Sequence, residues 1–171
     1  MWYNNFMEKV HFIVEQLKQN NQSISFAESC TGGRVASAFT AVAGVSAVLN
    51  GSVVSYSNAI KHEWLGVSNE ILENYGAVSK ECVEQMLSGV AKMARSDYAL
   101  AISGIAGPDG GTEFKPVGTV YVGVLTPDTV EVTHNLFEGD RQTVQQQATD
   151  KAIDMLYKQL KLNPKYALEI R

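Results

Sequence analysis

Residues 23–34 read SISFAESCTGGR, and this stretch decides much of the fold. Residues 23–26 favour a short β-strand, and a helical pattern begins at residue 34. Between them, residues 27–33 combine small polar side chains with two adjacent glycines. A strand that passes through such a turn into a helix exposes backbone N–H groups, which can hold a phosphate or stabilise an oxyanion. From this segment alone, the alternative is a tight turn with an ordinary helix cap.

The turn contains two neighbouring candidate nucleophiles, Ser29 and Cys30. It is not a Walker motif, because no Gly-Lys-Ser/Thr follows, and it lacks the G-x-S-x-G nucleophile elbow. Adjacent side chains in extended backbone point apart, so only one of the two can face a common base. We favour Ser29 as the nucleophile, with Cys30 packed in the core.

Helices and strands alternate in the first half of the chain, and a hairpin follows later. The apolar spacing predicts helices at residues 6–17, 34–43, 58–64, 68–75, 79–93 and 143–160, and further strands at 51–56, 98–103, 119–125 and 130–137. Ser79 is predicted to cap its helix, and the last helix to end near residues 163–164. This order predicts an α/β fold, a three-layer α/β/α sandwich with a mixed β-sheet, formed by residues 1–171 as a single domain.

Composition narrows the class of protein. The chain has 171 residues, 45% apolar and 19% charged, with a formal net charge of -4. The acidic balance and the lack of a basic stripe argue against nucleic-acid binding. Residues 35–60 are uncharged, but polar residues and glycines interrupt the run, so we expect a buried helix and a buried strand, not a membrane span. The first eighteen residues contain no secretory apolar region, which predicts a cytoplasmic protein.

Metal and disulfide chemistry have little support in the sequence. The histidines, His11, His62 and His134, are scattered, and two cysteines do not make a disulfide framework. We therefore predict no metal site and no cofactor.

Lys61 is the candidate general base. It ends the uncharged run and follows a strand that we predict to be buried. A lysine against apolar walls can lose its proton near neutral pH, and Ser29 needs such a base to be a good nucleophile. Tyr56 could connect the two as a hydrogen-bonded relay. The alternative is that Lys61 is an ordinary solvated helix residue.

Two further segments are candidates for ligand binding. Residues 103–111 read SGIAGPDGG, a loop that allows close backbone approach to a ligand but could also be a plain surface turn. Arg141 precedes the last helix and could pair with a phosphate, or act in a cap or salt bridge. Ligands of such sheets gather beyond the carboxyl ends of strands. Because Ser29, Tyr56 and Ser103 each follow or finish a predicted strand, we expect them at one site.

Five segments in order carry a resemblance to a known family. They are AESCTGG at 27–33, YSNAIK at 56–61, SGIAGPDGG at 103–111, KPVGTV at 115–120 and GDR at 139–141. Together they resemble the CinA C-terminal domain family, whose characterised members are nicotinamide-nucleotide amidases (NMN deamidases of the PncC type), from about Val10 to Leu160. The resemblance implies a three-layer fold, a homodimer, and hydrolysis of nicotinamide mononucleotide to nicotinic acid mononucleotide and ammonia in NAD salvage.

The resemblance also implies roles for individual residues. Ser29 would be the nucleophile, Lys61 the base and Tyr56 its partner. The implied substrate contacts are Thr31, Gly32, Gly33, Ser46, Ser103, Gly104, Ala106, Gly107 and Arg141, with oxyanion donors in the 31–33 turn or the 104–107 loop. Larger CinA proteins carry an N-terminal metal-dependent pyrophosphatase domain, for which we expect no room in 171 residues. The rival hypotheses are a non-catalytic nucleotide-binding module and a protein-interaction domain.

Overall fold

The computed structural model describes residues 2–162, with side chains from residue 5 onward. Within this range the helices are α1 (Trp2–Gln19), α2 (Arg34–Thr40), α3 (Asn58–Leu65), α4 (Asn69–Asn74), α5 (Lys80–Ala94) and α6 (Arg141–Leu162). The strands are β1 (Ile24–Glu28), β2 (Leu49–Val54), β3 (Tyr98–Gly104), β4 (Thr119–Leu125) and β5 (Val130–Leu136), and a 3₁₀ turn covers Val45–Ala47. Each predicted element is found, with ends shifted by a few residues. The helix end predicted at residues 163–164 lies outside the described residues.

The five strands form one mixed sheet in the order β2-β1-β3-β4-β5. Strand β1 pairs in parallel with both β2 and β3, whereas β4 runs antiparallel to β3 and β5. The carboxyl ends of β2, β1 and β3 therefore meet at the same edge of the sheet. That edge carries the site described below.

Helices cover both faces of the sheet. One core lies between the sheet and α1, α2 and α6, and the other lies beneath α3 and α5. The predicted three-layer α/β/α sandwich with a mixed sheet is confirmed.

Helix α5 shows how local sequence produces this packing. Its inner positions recur at three- and four-residue spacing and are buried; they are Val83, Met86, Leu87 and Val90. Ser79 caps the helix as predicted, because its Oγ accepts the N–H of Cys82 at 3.2 Å. Gly123 in β4 lets α5 approach the sheet, since a Cβ there would lie 2.7 Å from Val83 and 2.8 Å from Leu87.

Both edge strands of the sheet are partly exposed. Strand β2 alternates half-buried and exposed residues instead of being buried, because it has a strand neighbour on one side only. Strand β5 forms the other edge, where Val130 and Leu136 are 51% and 61% exposed. The uncharged run 35–60 is divided among α2, the 3₁₀ turn, β2 and the start of α3. Among the described helices, none is both long enough and apolar enough to cross a bilayer.

Candidate active site

Ser29 lies at the carboxyl edge of the sheet, directly after β1. Its N–H donates to the carbonyl of Ile102 at 3.0 Å, so the pairing of β1 with β3 continues through it. Ala27 packs in the core beneath α5 and Glu28 bonds to α2 on the other face, so Ser29 faces the α5 layer again. Ser29 is 8% exposed, so it is almost entirely buried at this edge of the sheet.

Lys61 on α3 reaches back to this hydroxyl. Helix α3 begins after Ser57, whose Oγ accepts the N–H of Ile60 at 3.2 Å. The Nζ of Lys61 lies 3.1 Å from Oγ of Ser29 and 2.7 Å from the carbonyl oxygen of Ser55. The lysine is 1% exposed, so it is not the solvated helix residue of the alternative hypothesis. The structure brings the predicted nucleophile and base within hydrogen-bonding distance.

The surroundings of Lys61 favour its neutral form. Burial lowers the pKa of Lys61 below its ordinary value of 10.5. A neutral amine has two N–H groups and one lone pair. The carbonyls of Ser55 and Tyr56, at 2.7 and 3.3 Å, can accept both N–H groups, which leaves the lone pair for the hydroxyl of Ser29. This is the arrangement that a general base requires.

Tyr56 takes a different position from the predicted relay. Its carbonyl contacts Lys61, but its side chain extends toward α6, where its hydroxyl accepts an N–H from Arg141 at 2.8 Å. The ring is 59% exposed. Because Lys61 reaches Ser29 directly, the Tyr56 hydroxyl is not needed between them.

Arg141 bridges Tyr56, predicted as a catalytic residue, and the predicted substrate-binding loop at Gly107. Its Nη1 donates to the carbonyl of Gly107 at 2.6 Å, and its Nη2 donates to Tyr56. Both acceptors are uncharged, so the guanidinium keeps its charge and its other donors available for an anion. In contrast, the described residues bring together no group of three His, Cys, Asp or Glu side chains that could hold a metal ion.

In the glycine turn, two of the predicted oxyanion donors have acceptors within the protein. The N–H of Gly32 donates to the carbonyl of Ser29 at 3.1 Å, and the N–H of Gly33 donates to the carboxylate of Glu28 at 3.0 Å. Over residues 2–162, no other residue accepts a hydrogen bond from the backbone N–H groups of Cys30 and Thr31 in this turn. The N–H groups of Gly32 and Gly33, predicted as oxyanion donors, are therefore already bonded within the protein.

Glu28 is a site residue that the sequence reasoning missed. Its side chain is fully buried, and its carboxylate accepts four hydrogen bonds of 2.6–3.2 Å, from the hydroxyl of Thr31 and the N–H groups of Gly33, Val35 and Ala36. A carboxylate at the start of a helix satisfies N–H groups that have no partner within the helix. Glu28 thus fixes the turn that carries Ser29. The available signal was an acidic residue shortly before a predicted helix.

We expect Glu28→Ala to lower the free energy of unfolding by about 3 kcal/mol or more, because it leaves several buried donors unpaired. Urea unfolding followed by circular dichroism measures this change. The control is Glu15→Ala, whose glutamate side chain is 55% exposed and should change stability by less than about 0.5 kcal/mol. Equal effects of the two substitutions would contradict the role given to Glu28.

The structure favours Ser29 over Cys30 as nucleophile. Cys30 is 4% exposed and packs in the core on the side of α1, α2 and α6. Burial raises the pKa of its thiol to about 12, so the thiol stays protonated near neutral pH. Its carbonyl accepts an N–H from Gln145 at 2.8 Å, so α6 also holds this turn in place.

Of the remaining predicted residues, Ser103 lies at the carboxyl edge of the sheet and Ser46 does not. Ser103 lies at the correct edge and is 1% exposed, but its hydroxyl donates to the carbonyl of Ala77 at 2.7 Å. Ser46 does not lie at the site. It precedes β2, and six residues of strand, about 20 Å at the usual rise, separate it from the carboxyl edge. Within this chain, Ser46 is therefore excluded as a substrate contact.

The 104–107 loop is held mainly by the sheet. A Cβ on Gly104 would lie 2.6 Å from Val120 and 2.8 Å from the carbonyl of Thr119, so this glycine serves close packing against β4. Ala106 is 4% exposed and belongs to the core. Gly107 is the member of the loop that the structure connects to the site, through Arg141.

The fold and the site define an α/β/α protein with a buried serine–lysine pair at the carboxyl edge of its parallel strands. Residues 7–160 match the sequence profile of the CinA C-terminal domain. The chain belongs to the CinA C-terminal domain family, as the resemblance predicted.

Curated relatives and solved structures support this family assignment. CinA-like proteins of Fervidobacterium nodosum and Thermotoga neapolitana are 51% and 45% identical, over 87% and 91% of this chain. Each match covers 37% of the relative, so this chain spans little more than a third of their length.

Among solved structures, the competence damage-inducible protein A (ComA) from Klebsiella pneumoniae subsp. pneumoniae has a TM-score of 0.88 at 35% identity, over 92% of this chain and 98% of that chain. The competence/damage inducible protein CihA from Agrobacterium tumefaciens has a TM-score of 0.87 at 35% identity, over 90% and 94%.

Proposed function

We propose that this domain hydrolyses the carboxamide of nicotinamide mononucleotide to nicotinic acid mononucleotide and ammonia, as a step of NAD salvage. Ser29 is the nucleophile and Lys61 the general base. The observation that supports this proposal is the 3.1 Å contact between Oγ of Ser29 and the buried Nζ of Lys61.

The first step forms an acyl-enzyme. The lone pair of Lys61 takes the proton of the Ser29 hydroxyl while Oγ attacks the carboxamide carbon. The negative charge that develops on the carboxamide oxygen is received by the N–H groups of Cys30 and Thr31. The charged Lys61 then gives its proton to the nitrogen, the C–N bond breaks, and ammonia leaves.

The second step releases the acid. Water attacks the ester carbon while Lys61 accepts a proton from it. Lys61 returns this proton to Oγ of Ser29 as the C–O bond breaks. The carboxylate product departs and both residues are restored.

Arg141 and Tyr56 provide a cation and an exposed aromatic ring, which can bind a nucleotide. Arg141 carries a charge that its described partners, the Tyr56 hydroxyl and the Gly107 carbonyl, do not neutralise, so it can bind the substrate phosphate. The exposed ring of Tyr56 lies beside it, and an aromatic face attracts a planar cationic pyridinium. Binding of these remote groups fixes the carboxamide over Ser29.

The direct test is a coupled ammonia assay on the purified protein. Nicotinamide mononucleotide, free nicotinamide and glutamine are compared at equal concentration. We expect ammonia from the nucleotide, because nicotinamide and glutamine lack the phosphate that Arg141 binds. Turnover of glutamine alone would contradict the proposed substrate. Calorimetric binding of the nucleotide without ammonia release would instead favour a non-catalytic nucleotide-binding module.

We expect kcat/KM to rise with pH along a limb set by Lys61. Below its pKa the amine is protonated and cannot accept the Ser29 proton; above it the amine is neutral and active. Because burial lowers this pKa, the midpoint should lie below 10.5. Initial rates over a pH series measure it, and samples returned to neutral pH control for denaturation. A rate that falls continuously as pH rises from acid to neutral would contradict a neutral lysine base.

A further inference from the structure

Three serines lie side by side across the parallel strands. Glu28 in β1 pairs with Val54 in β2 and with Ile102 in β3. The next residues on the three strands are therefore level; in sheet order they are Ser55, Ser29 and Ser103. The N–H of Ser55 donates to the carbonyl of Glu28 at 2.8 Å, so the pairing continues to this level. Neighbouring strands are about 4.8 Å apart, which makes this a continuous row of hydroxyl groups.

The three side chains share one face of the sheet. Two residues earlier on each strand, Val53, Ala27 and Ala101 all pack in the core beneath α5. Side chains two residues apart in a strand point to the same face. The row therefore faces the layer from which Lys61 approaches.

The hydroxyl groups of Ser29 and Ser103 have hydrogen-bond partners among the described residues, but the hydroxyl of Ser55 does not. Ser29 contacts Lys61, and Ser103 donates to Ala77. Ser55 is fully buried, and in the described part of the chain its Oγ has no hydrogen-bond partner, although its N–H and carbonyl are both bonded. A buried hydroxyl without a partner costs about 1–3 kcal/mol, which alanine would avoid.

We propose that Ser55 is a positioning residue for Lys61, whose hydroxyl accepts an N–H of the charged lysine while Ser29 is bonded to substrate. The inference rests on the proposed function. Charged Lys61 has three N–H groups, and the carbonyls of Ser55 and Tyr56 accept two. The third points to Oγ of Ser29, which accepts poorly once it is bonded to the acyl carbon. The hydroxyl of Ser55 is the next one in the row. It has no partner at rest and can hold this N–H in the intermediate until the leaving nitrogen takes the proton.

The titratable groups near Lys61 do not stabilise its charged form near neutral pH. The groups that act on Lys61 are the thiols of Cys82 from α5 and Cys30 from the turn after β1. Burial raises their pKa values to about 11 and about 12, so both stay neutral near neutral pH.

The first experiment compares Ser55→Ala with a matched control, Ser25→Ala. Ser55→Ala should lower kcat for nicotinamide mononucleotide about tenfold, the effect of one hydrogen bond to a charged group, with KM unchanged. It should also melt no lower than the wild type, because the lost hydroxyl had no partner. Ser25 is buried in β1 and bonded to Ser96 at 2.6 Å, so Ser25→Ala should melt lower and keep its kcat. Ser55→Thr, which keeps the hydroxyl, should recover most of the lost rate.

The second experiment needs no substrate. In a Ser29→Ala background the third N–H of charged Lys61 must turn to Ser55, so adding Ser55→Ala should lower the titration midpoint of Lys61. NMR of ¹³C-labelled lysine measures this midpoint, with the Lys61 signal assigned by its loss in Lys61→Met. We expect a shift of about one pH unit, which equals the tenfold effect.

Each result decides one of the two hypotheses. Wild-type kcat in Ser55→Ala, or an unchanged Lys61 midpoint, would overturn the role of Ser55. If the wild type released no ammonia, the proposed function would fail, and the titration would still judge Ser55.

Discussion

Ser29→Ala is expected to reduce ammonia release from nicotinamide mononucleotide at least about 1,000-fold, because no acyl-enzyme can form without the hydroxyl. Ser29 is the hydroxyl that touches the buried lysine, and Cys30 faces the opposite core with a protonated thiol. The coupled ammonia assay measures the loss. Calorimetry should show that the variant still binds the nucleotide, since Arg141 is untouched.

Ser52→Ala is the control for this substitution. Ser52 is an exposed serine of β2, so its variant should keep wild-type turnover. If Ser29→Ala kept more than a tenth of the wild-type rate, the nucleophile would have to be reassigned.

Lys61→Met is expected to cause a loss of similar size, at least about 1,000-fold, because methionine keeps an unbranched apolar stem but has no lone pair to accept the proton. Lys61→Arg should be equally inactive. Arginine keeps the charge but does not become neutral in proteins, so this variant separates a base from a purely electrostatic role. The ammonia assay on both variants provides the measurement.

Lys80→Met is the matched control. The side chain of Lys80 is 60% exposed at the start of α5, so its loss should leave turnover unchanged. Circular dichroism of each variant confirms folding before the rates are compared. Substantial turnover in Lys61→Met, or in Lys61→Arg, would show that the base is another group.

The local sequence pattern was sufficient to predict an element that depends only on its own residues. The three- and four-residue spacing of α5 and its Ser79 cap are properties of one short segment, and both were predicted. The burial of β2 was predicted wrongly, because the exposure of a strand depends on which neighbours pair with it. The lack of charge in residues 35–60 does not indicate whether a strand lies inside the sheet or at its edge. The homodimer and the absence of a cofactor stay predictions.

By itself, the sequence determined the α/β class and the strand that precedes Ser29, and it singled out Lys61 as the candidate base. Only the tertiary structure showed that Lys61 reaches Ser29 directly while the Tyr56 hydroxyl turns to Arg141. It also placed Ser46 at the opposite edge, as the position of the 3₁₀ turn before β2 requires.

The tertiary structure also decided the hydrogen-bond partners of the polar groups around Ser29 and Lys61. Glu28 takes the N–H of Gly33, and the register of β2, β1 and β3 sets Ser55 and Ser103 beside Ser29. The physical reason is that hydrogen-bond partners distant in the chain are selected by strand order and register. A hydrophobic pattern indicates that a strand exists and which face is apolar, whereas its neighbours are decided when the whole sheet assembles.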